Sequence, residues 1–296
     1  MKLLRAMIGT ATAVVAFPAC AQSQCAPEFL QAAQSVTLND IEVGAGNTAS
    51  ETFQIRIRNG SGDNSACPAR IRVARLSTSP SRGQIDFSLQ AQGQTMEILA
   101  NESFPATAAS DLDIPRLPSS PNGLAVPFRL IVPSNWGLAE GRQVDDLLVF
   151  LLDQSGTVTD QLRLTISLNV PPAVEVRTVG ATGRDAIASV NLGTLDPERI
   201  NFSNPFGIRV WSTSPYTISF VSENEGRLRH SSAPNTIDYQ LFMGGSQVNL
   251  MGLPAGMEPD GTDALGDFHP LQVQVRPFRA RAGSYSDRVE VTVTAN

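Results

Sequence analysis

The feature that most limits what this chain can fold into is a strict two-residue periodicity. It is clearest in Ala282–Asn296, AGSYSDRVEVTVTAN, where Val289, Val291 and Val293 alternate with Glu290, Thr292 and Thr294. Such alternation puts apolar side chains on one face of a half-buried strand and polar ones on the other. The sequence stops on this strand. The expectation is a β-sandwich that lacks a closing strand of its own and takes one from a partner.

The same period recurs throughout, and helical periodicity is nearly absent. In the first half, strands are expected at Phe53–Ile57, Ile71–Val73, Ile85–Leu89, Val126–Val132, Leu147–Leu152 and Leu162–Leu168, the last extending to Val170. Leu147–Leu152 is apolar on both faces, which predicts a central, buried strand. Asp153-Gln154-Ser155-Gly156 is a turn signal between the last two, so they are expected to form a hairpin. Pro171-Pro172 then breaks the pattern, because proline cannot continue a ladder. In the second half, strands are expected at Val190–Leu192, Ile208–Val210, Tyr216–Phe220, Ile237–Leu241 and Leu271–Val275, before the terminal strand. Short strands between Gly, Pro, Asn and Ser turns predict an all-β fold of two sandwiches, at residues 22–172 and 173–296.

Residues 1–21 read as a secretory signal peptide: Lys2 and Arg5, an apolar run from Met7 to Phe17, then Ala19-Cys20-Ala21 as a small-x-small cleavage pattern. A lipoprotein reading would lipidate Cys20, but Phe17 and Pro18 make a poor lipobox. No later segment is a continuous apolar run of membrane-spanning length. The expected destination is outside the cytosol. Cys25 and Cys67 remain, an even count that suggests one disulfide in an oxidising compartment, with two unpaired thiols as the alternative. Two cysteines and the distant His230 and His269 show no metal-ligand spacing.

The formal net charge is −6, and it becomes −8 when Lys2 and Arg5 are removed. An acidic chain with no basic cluster argues against a nucleic-acid partner. Lys2 is the only lysine, so the exported chain has none for Schiff-base chemistry or a phosphate loop.

Four places in the second half carry a family resemblance. They are Leu192-Gly193-Thr194-Leu195, Ser214-Pro215-Tyr216-Thr217-Ile218-Ser219-Phe220, Ile237-Asp238-Tyr239-Gln240-Leu241, and Ala282-Gly283-Ser284-Tyr285-Ser286-Asp287 before the terminal Val-x-Val-x-Val. In this order, over about residues 173–296, they resemble the spore coat protein U domain, the subunit type of Csu-like archaic chaperone–usher pili. The family often has a cysteine before the Pro-Tyr-Thr motif and a partner upstream. Here Trp211 sits near that place, and the half has no cysteine.

The resemblance implies an incomplete immunoglobulin-like, pilin-type sandwich. A periplasmic pilus chaperone, and then an adjacent subunit's donor strand at the outer-membrane usher, would supply the missing strand by β-augmentation. It implies Ile218, Phe220, Tyr239, Val289, Val291 and Val293 as groove or core residues, with Pro215, Tyr216, Gly283, Tyr285 and Asp287 as signature positions. A subunit that donates a strand needs a free N-terminal segment, and a Cys25–Cys67 bond would leave little to give. The expected role is therefore a two-domain tip adhesin. The first half resembles the family only faintly, in Gly141–Asp146 before Leu147–Leu152, and is taken as a second immunoglobulin-like sandwich. Leu162–Val170 as a further strand would let it be complete by itself.

As a tip subunit, it would touch a surface through distal loops of the first half. Candidates are the loop from Phe104 to Leu124, with Ile114 and Leu117, within the irregular stretch Asn101–Gly123, and Asn135-Trp136-Gly137-Leu138. The competing reading folds these residues into their own core. Glu258, Asp260, Asp263 and Asp267 form an acidic loop without EF-hand spacing. Arg70, Arg72 and Arg75 read as strand-face charges, and Asp111/Asp113 and Asp145/Asp146 as solvated rather than a glycosidase pair. No Gly-x-Ser-x-Gly, no His-Glu-x-x-His and no elbow around His230 supports catalysis, and no cofactor is expected. Two rivals remain. One is a shaft, adaptor or secreted coat subunit. The other is a carbohydrate-binding module, which would need exposed aromatics such as Trp136, Trp211 or a tyrosine.

Overall fold

The computed structural model describes residues 25–39, 41–62, 67–76, 86–99, 111–184 and 187–296. The signal-peptide reading of residues 1–21, and Ile85 and Phe104, lie outside these residues. The described residues form strands and no helix.

The first half contains β1 (Pro27–Phe29), β2 (Ala33–Leu38), β3 (Thr48–Asn59), β4 (Ala69–Arg75), β5 (Ser88–Ala91), β6 (Gln94–Met96), β7 (Ile98–Leu99), β8 (Leu112–Ile114), β9 (Leu124–Pro133), β10 (Gly141–Leu152) and β11 (Val158–Val170). One sheet runs β1-β3-β9-β5-β6. The other runs β2-β11-β10-β4-β7, with β8 also on β4. Alternate residues of both sheets meet in one core. Ile55, Ile57, Val126, Phe128 and Leu130 from the first sheet face Val73, Leu147, Val149, Leu164 and Ile166 from the second. Full burial of each such aliphatic side chain contributes about 1.5–3 kcal/mol. Phe53 stacks on Phe128 with ring centroids 5.5 Å apart.

β10 is central, as its two apolar faces require. Leu147, Val149 and Leu151 enter the main core, while Phe150 and Leu152 form a small cluster with Ala74 on the outer face. The β10–β11 turn closes where Thr157 N–H and Ser155 Oγ–H donate to Asp153 Oδ1, at 2.9 and 2.6 Å. Gly156 there takes φ +85°, a left-handed conformation that costs glycine little. Cys25 and Cys67 are joined by a disulfide that ties the approach to β1 to the approach to β4.

The second half contains β12 (Val174–Val179), β13 (Thr182–Arg184), β14 (Ile187–Ser189), β15 (Asn201–Phe202), β16 (Phe206–Ser212), β17 (Tyr216–Ser222), β18 (Arg227–His230), β19 (Thr236–Asp238), β20 (Gln240–Met243), β21 (Ser246–Gln247), β22 (Met251–Glu258), β23 (Asp267–Val275), β24 (Tyr285–Ser286) and β25 (Val289–Ala295). One sheet runs β12-β16-β23-β20-β21, with β15 also on β23. Facing it are β22-β17-β25 and, further along the same chain segments, β19-β18-β24. Ile208, Val210, Tyr216, Ile218, Phe220 and Leu271 fill one end of this second sandwich, and Leu228, Ile237, Tyr239 and Val275 fill the other.

Two sequence expectations are corrected. Val190–Leu192 is not a strand: Gly193 N–H donates to Asn191 Oδ1 at 2.8 Å, a local turn that competes with a ladder. Ile237–Leu241 is not one strand but two, because Tyr239 N–H leaves the ladder to donate to Gly226 O at 2.9 Å.

The hydrophobic clusters fall on either side of Pro171-Pro172. Thr213 holds this junction. Its Oγ1 donates to Pro171 O and accepts from Ala173 N–H, at 2.9 and 2.8 Å. Its carbonyl accepts from Glu140 N–H at 2.8 Å, a direct bond between the halves.

Candidate functional site

Two strands with the same sequence pattern end the two halves in different ways. β11 is paired on both edges, antiparallel to β10 and parallel to β2, with Arg163 opposite Ala33 and Leu168 opposite Leu38. Its inward row, Leu162, Leu164, Ile166 and Leu168, is fully buried. Among the described residues β25 is paired on one edge only, with β17, from Ser222 opposite Val289 to Tyr216 opposite Ala295. Its inward row, Val289, Val291 and Val293, is only half-buried although it touches the same core as the buried Ile218 and Phe220.

β12 adjoins β25 without forming a ladder with it, and β12 is itself paired only with β16. Val174 of β12 packs into the same cluster as the three valines. Among the described residues, then, each of these strands has one unpaired edge, and the two strands adjoin over a partly open core. Each carries a row of backbone N–H and C=O groups that an extended segment can satisfy, with pockets for alternate apolar side chains.

The approach to β25 is fixed by Asp287. Its carboxylate accepts from Ser222 Oγ and Tyr239 Oη, both at 2.6 Å, and from Asn224 Nδ2 and N at 2.7 and 3.1 Å. Burial pushes this carboxyl up, but those hydrogen bonds outweigh burial and hold it below the ordinary carboxylate value. Burial and the neighbouring carboxylate together push the Tyr239 hydroxyl well above its ordinary range.

Tyr239 therefore belongs to the cluster around Leu228 and Ile237, not to that around Ile218 and Phe220. Gly283 lies under the His230 ring, so close that any Cβ would collide with it. Tyr285 meets His230 edge-on at 4.9 Å, and its hydroxyl donates to Arg281 O. Pro215 O accepts from Asn296 N–H at 2.8 Å. The buried Tyr216 spans the sandwich, donating to Asp267 Oδ2 at 2.9 Å and meeting His269 Nε2 at 2.9 Å.

The expected apolar contact loops do not take that form. Ile114 and Leu117 are almost completely buried in the core of the first half, Trp136 is buried, and Leu124 is half-buried against the core. The apolar period that marked them reflects packing. Trp211 offers no free platform either, since the Arg177 guanidinium lies 5.4 Å from its ring centroid.

Nor are Asp111 and Asp145 solvated. Asp111 receives Arg72 at 2.7 and 2.6 Å with both side chains buried, and Asp145 pairs with Arg75 at 3.0 Å. Burial raises the Asp145 carboxyl, partly offset by Arg75. Arg72 is thus not an exposed strand-face charge. In the acidic loop, Asp263 Oδ1 accepts from the N–H groups of Leu265 and Gly266. No group of three potential metal ligands occurs among the described residues.

The sequence reading passed over β22. Gly252, Pro254 and Gly256 hide a strand whose Met251, Leu253 and Met257 are largely exposed. Proline is tolerated there because β22 is an edge.

No family model matches the chain, and no curated protein matches it. Among solved structures, the chain is similar to the CsuC–CsuE chaperone–tip adhesion subunit pre-assembly complex from archaic chaperone–usher Csu pili of Acinetobacter baumannii. The identity is 14%, covering 88% of this chain and 97% of that one, with a TM-score of 0.41. It is similar to CfaE, the adhesive subunit of CFA/I fimbria of enterotoxigenic Escherichia coli, at 12% identity over 89% and 92% of the two chains, with a TM-score of 0.42. It is also similar to the CupB6 tip adhesin from Pseudomonas aeruginosa, at 12% identity over 84% and 87%, with a TM-score of 0.34. Likenesses this loose carry no functional assignment. No helix among the described residues is long and apolar enough to cross a membrane.

Proposed function

We propose that this chain is a non-catalytic chaperone–usher pilus subunit of the adhesin type. In this reading, residues 173–296 accept a donated strand and residues 22–172 form the outward module that contacts a surface. The observation that carries it is the unpaired edge of β25, with its inward valines half-buried beside β12. A strand added along β25 would gain ladder hydrogen bonds on that edge and cover apolar surface at about 25 cal/mol per Å². A periplasmic chaperone would fill the slot first, and a neighbouring subunit's strand would fill it after passage through the outer-membrane usher. The first half needs no such help, because β2 already pairs with the far edge of β11.

The test is a fusion. A 13-residue strand of alternating apolar residues is attached to the full chain after Asn296 through a Gly/Ser linker, and compared with the same fusion carrying serines at the apolar positions. The apolar version is expected to raise the soluble yield and the thermal midpoint, and to protect the amides of Val289–Ala295 from exchange. Identical stability and exchange in the two fusions would sink the proposal.

A further inference from the structure

The outward face of the β25 segment differs from its inward face in one respect: it is charged. Arg288, Glu290, Thr292 and Thr294 share that face and are exposed, while Val289, Val291 and Val293 between them turn inward. The backbone alternates in step. Arg288 O accepts from Glu223 N–H, and Asn296 N–H donates to Pro215 O, both at 2.8 Å, so the even-numbered residues bond toward β17. By alternation, Val289, Val291, Val293 and Ala295 aim their N–H and C=O groups at the free edge. An antiparallel strand added there meets Arg288, Glu290 and the two threonines as non-hydrogen-bonded pairs. These are the closer kind, with Cα atoms about 4.5 Å apart and side chains in contact.

Both charges are uncommitted. Among the described residues, neither the Arg288 guanidinium nor the Glu290 carboxylate makes a hydrogen bond or an ion pair. On the β17 side Glu290 stands opposite Val221, and Glu223 lies beside Arg288 without pairing with it. Across the open core, Glu175 and Arg177 of β12 are already paired with one another. The row that an added strand would read is therefore positive, negative, neutral, neutral. That order has a direction. A cation opposite Glu290 and an anion opposite Arg288 match it in one register only. A slip of one residue turns the apolar row outward. A slip of two keeps the apolar row inward, but it sets the cation against Arg288 in one direction and the anion against Glu290 in the other. Like charges in opposed positions destabilise, so either slip is penalised.

We propose that Arg288 and Glu290 set the register of the docked polypeptide segment, whose outward side chains carry a cationic residue opposite Glu290 and an anionic residue opposite Arg288. This rests on the reading of β25 as a strand acceptor and adds the charge pattern of its partner.

The test uses the full chain with strands fused after Asn296, where a short linker returns the added strand antiparallel to β25. Three fusions share one linker and one apolar row. Opposite Glu290 and Arg288 they carry lysine and glutamate (matched), glutamate and lysine (swapped), or threonine at both places (neutral). A fourth is the neutral strand with serines in the apolar row. In low salt the matched fusion is expected to melt at least about 2 °C above the swapped one, with the neutral fusion between them. High salt should compress that gap. Arg288→Glu combined with Glu290→Arg should reverse the order, so that the swapped strand melts higher. Both side chains are exposed, so the neutral fusion should melt alike in the two backgrounds. Equal midpoints for matched and swapped strands, or an order that the reversed acceptor leaves in place, overturns the register assignment. In that event a neutral strand that still melts above its serine-row control leaves the acceptor reading standing. A neutral strand with no such advantage removes both.

Discussion

The Tyr239 hydroxyl donates to Asp287 Oδ2 at 2.6 Å, linking the residue where the chain crosses from β19 to β20 with the residue that launches β25. Asp287 is held low because hydrogen bonds from Ser222, Tyr239 and Asn224 outweigh the upward push of burial. A carboxyl that is lower in the fold than in the unfolded chain stabilises the fold fully above its ordinary value of 3.8. That contribution is lost as pH falls through the lower folded value. Asp287→Asn is expected to cost roughly 2–3 kcal/mol at neutral pH, since hydrogen bonds to a charged group are exchanged for weaker ones. It should also flatten the loss of stability as pH falls below the ordinary carboxylate value of 3.8. Urea titrations of both chains at several pH values measure this, and parallel acid profiles would remove Asp287 from the account.

The two strand-final rows should respond differently to truncation. Ile166→Ala in β11 is expected to cost roughly 2–5 kcal/mol, the usual range for deleting a fully buried aliphatic side chain. Val291→Ala in β25 should cost well under half of that in the chain alone, because Val291 is only half-buried. Its cost should grow when the fused apolar strand is present. A double-mutant comparison with and without the fused strand reads the difference directly.

Reducing the Cys25–Cys67 bond releases a loop of sequence separation 42. Chain entropy assigns such a crosslink about 4 kcal/mol. The Cys25→Ser/Cys67→Ser variant should therefore melt at a markedly lower temperature than the oxidised protein, and at the same temperature with or without reductant. An unchanged midpoint would mean that the bond does not constrain the unfolded chain.

Thr213→Val keeps the shape of the side chain and removes the hydroxyl that bonds Pro171 and Ala173. A loss of about 1 kcal/mol is expected, with the half-buried Ala173 N–H left without its acceptor. The more specific outcome is faster tryptic cleavage after Arg177, the first basic residue beyond the junction. Cleavage at the wild-type rate would show that Thr213 does not control the linker.

Strands were legible wherever one face is buried and the other wet, as in Leu162–Leu168, and wherever both are buried, as in Leu147–Leu152. Two-residue periodicity reports which face packs, and the core obeyed it. The sequence is silent on edges. Nothing in Val289–Ala295 differs in pattern from β11, yet one strand has two neighbours and the other has one. That depends on where β2 and β12 lie, a long-range matter. Apolar residues in the irregular segment after Asn101 could not be told from a sticky surface, because periodicity fades outside strands. The structure buries Ile114 and Leu117 because β8 and the segment after it cover the end of the first core. The ion pairs of Arg72 and Arg75 were equally hidden, since their partners lie dozens of residues away.

The parallel pairing of β2 with β11 also sets an order of events during synthesis. Asn39 and Asn169, bonded side chain to side chain at the end of that pairing, are 130 residues apart. The outer rung of the first half cannot form until residue 170 has left the ribosome and cleared any channel it traverses. Until then the leucine row of β11 has only its hairpin partner. Such late closure across a wide span is slow to search for. A factor that shields the β11 leucine row during that interval would therefore act on the first half before the second half emerges.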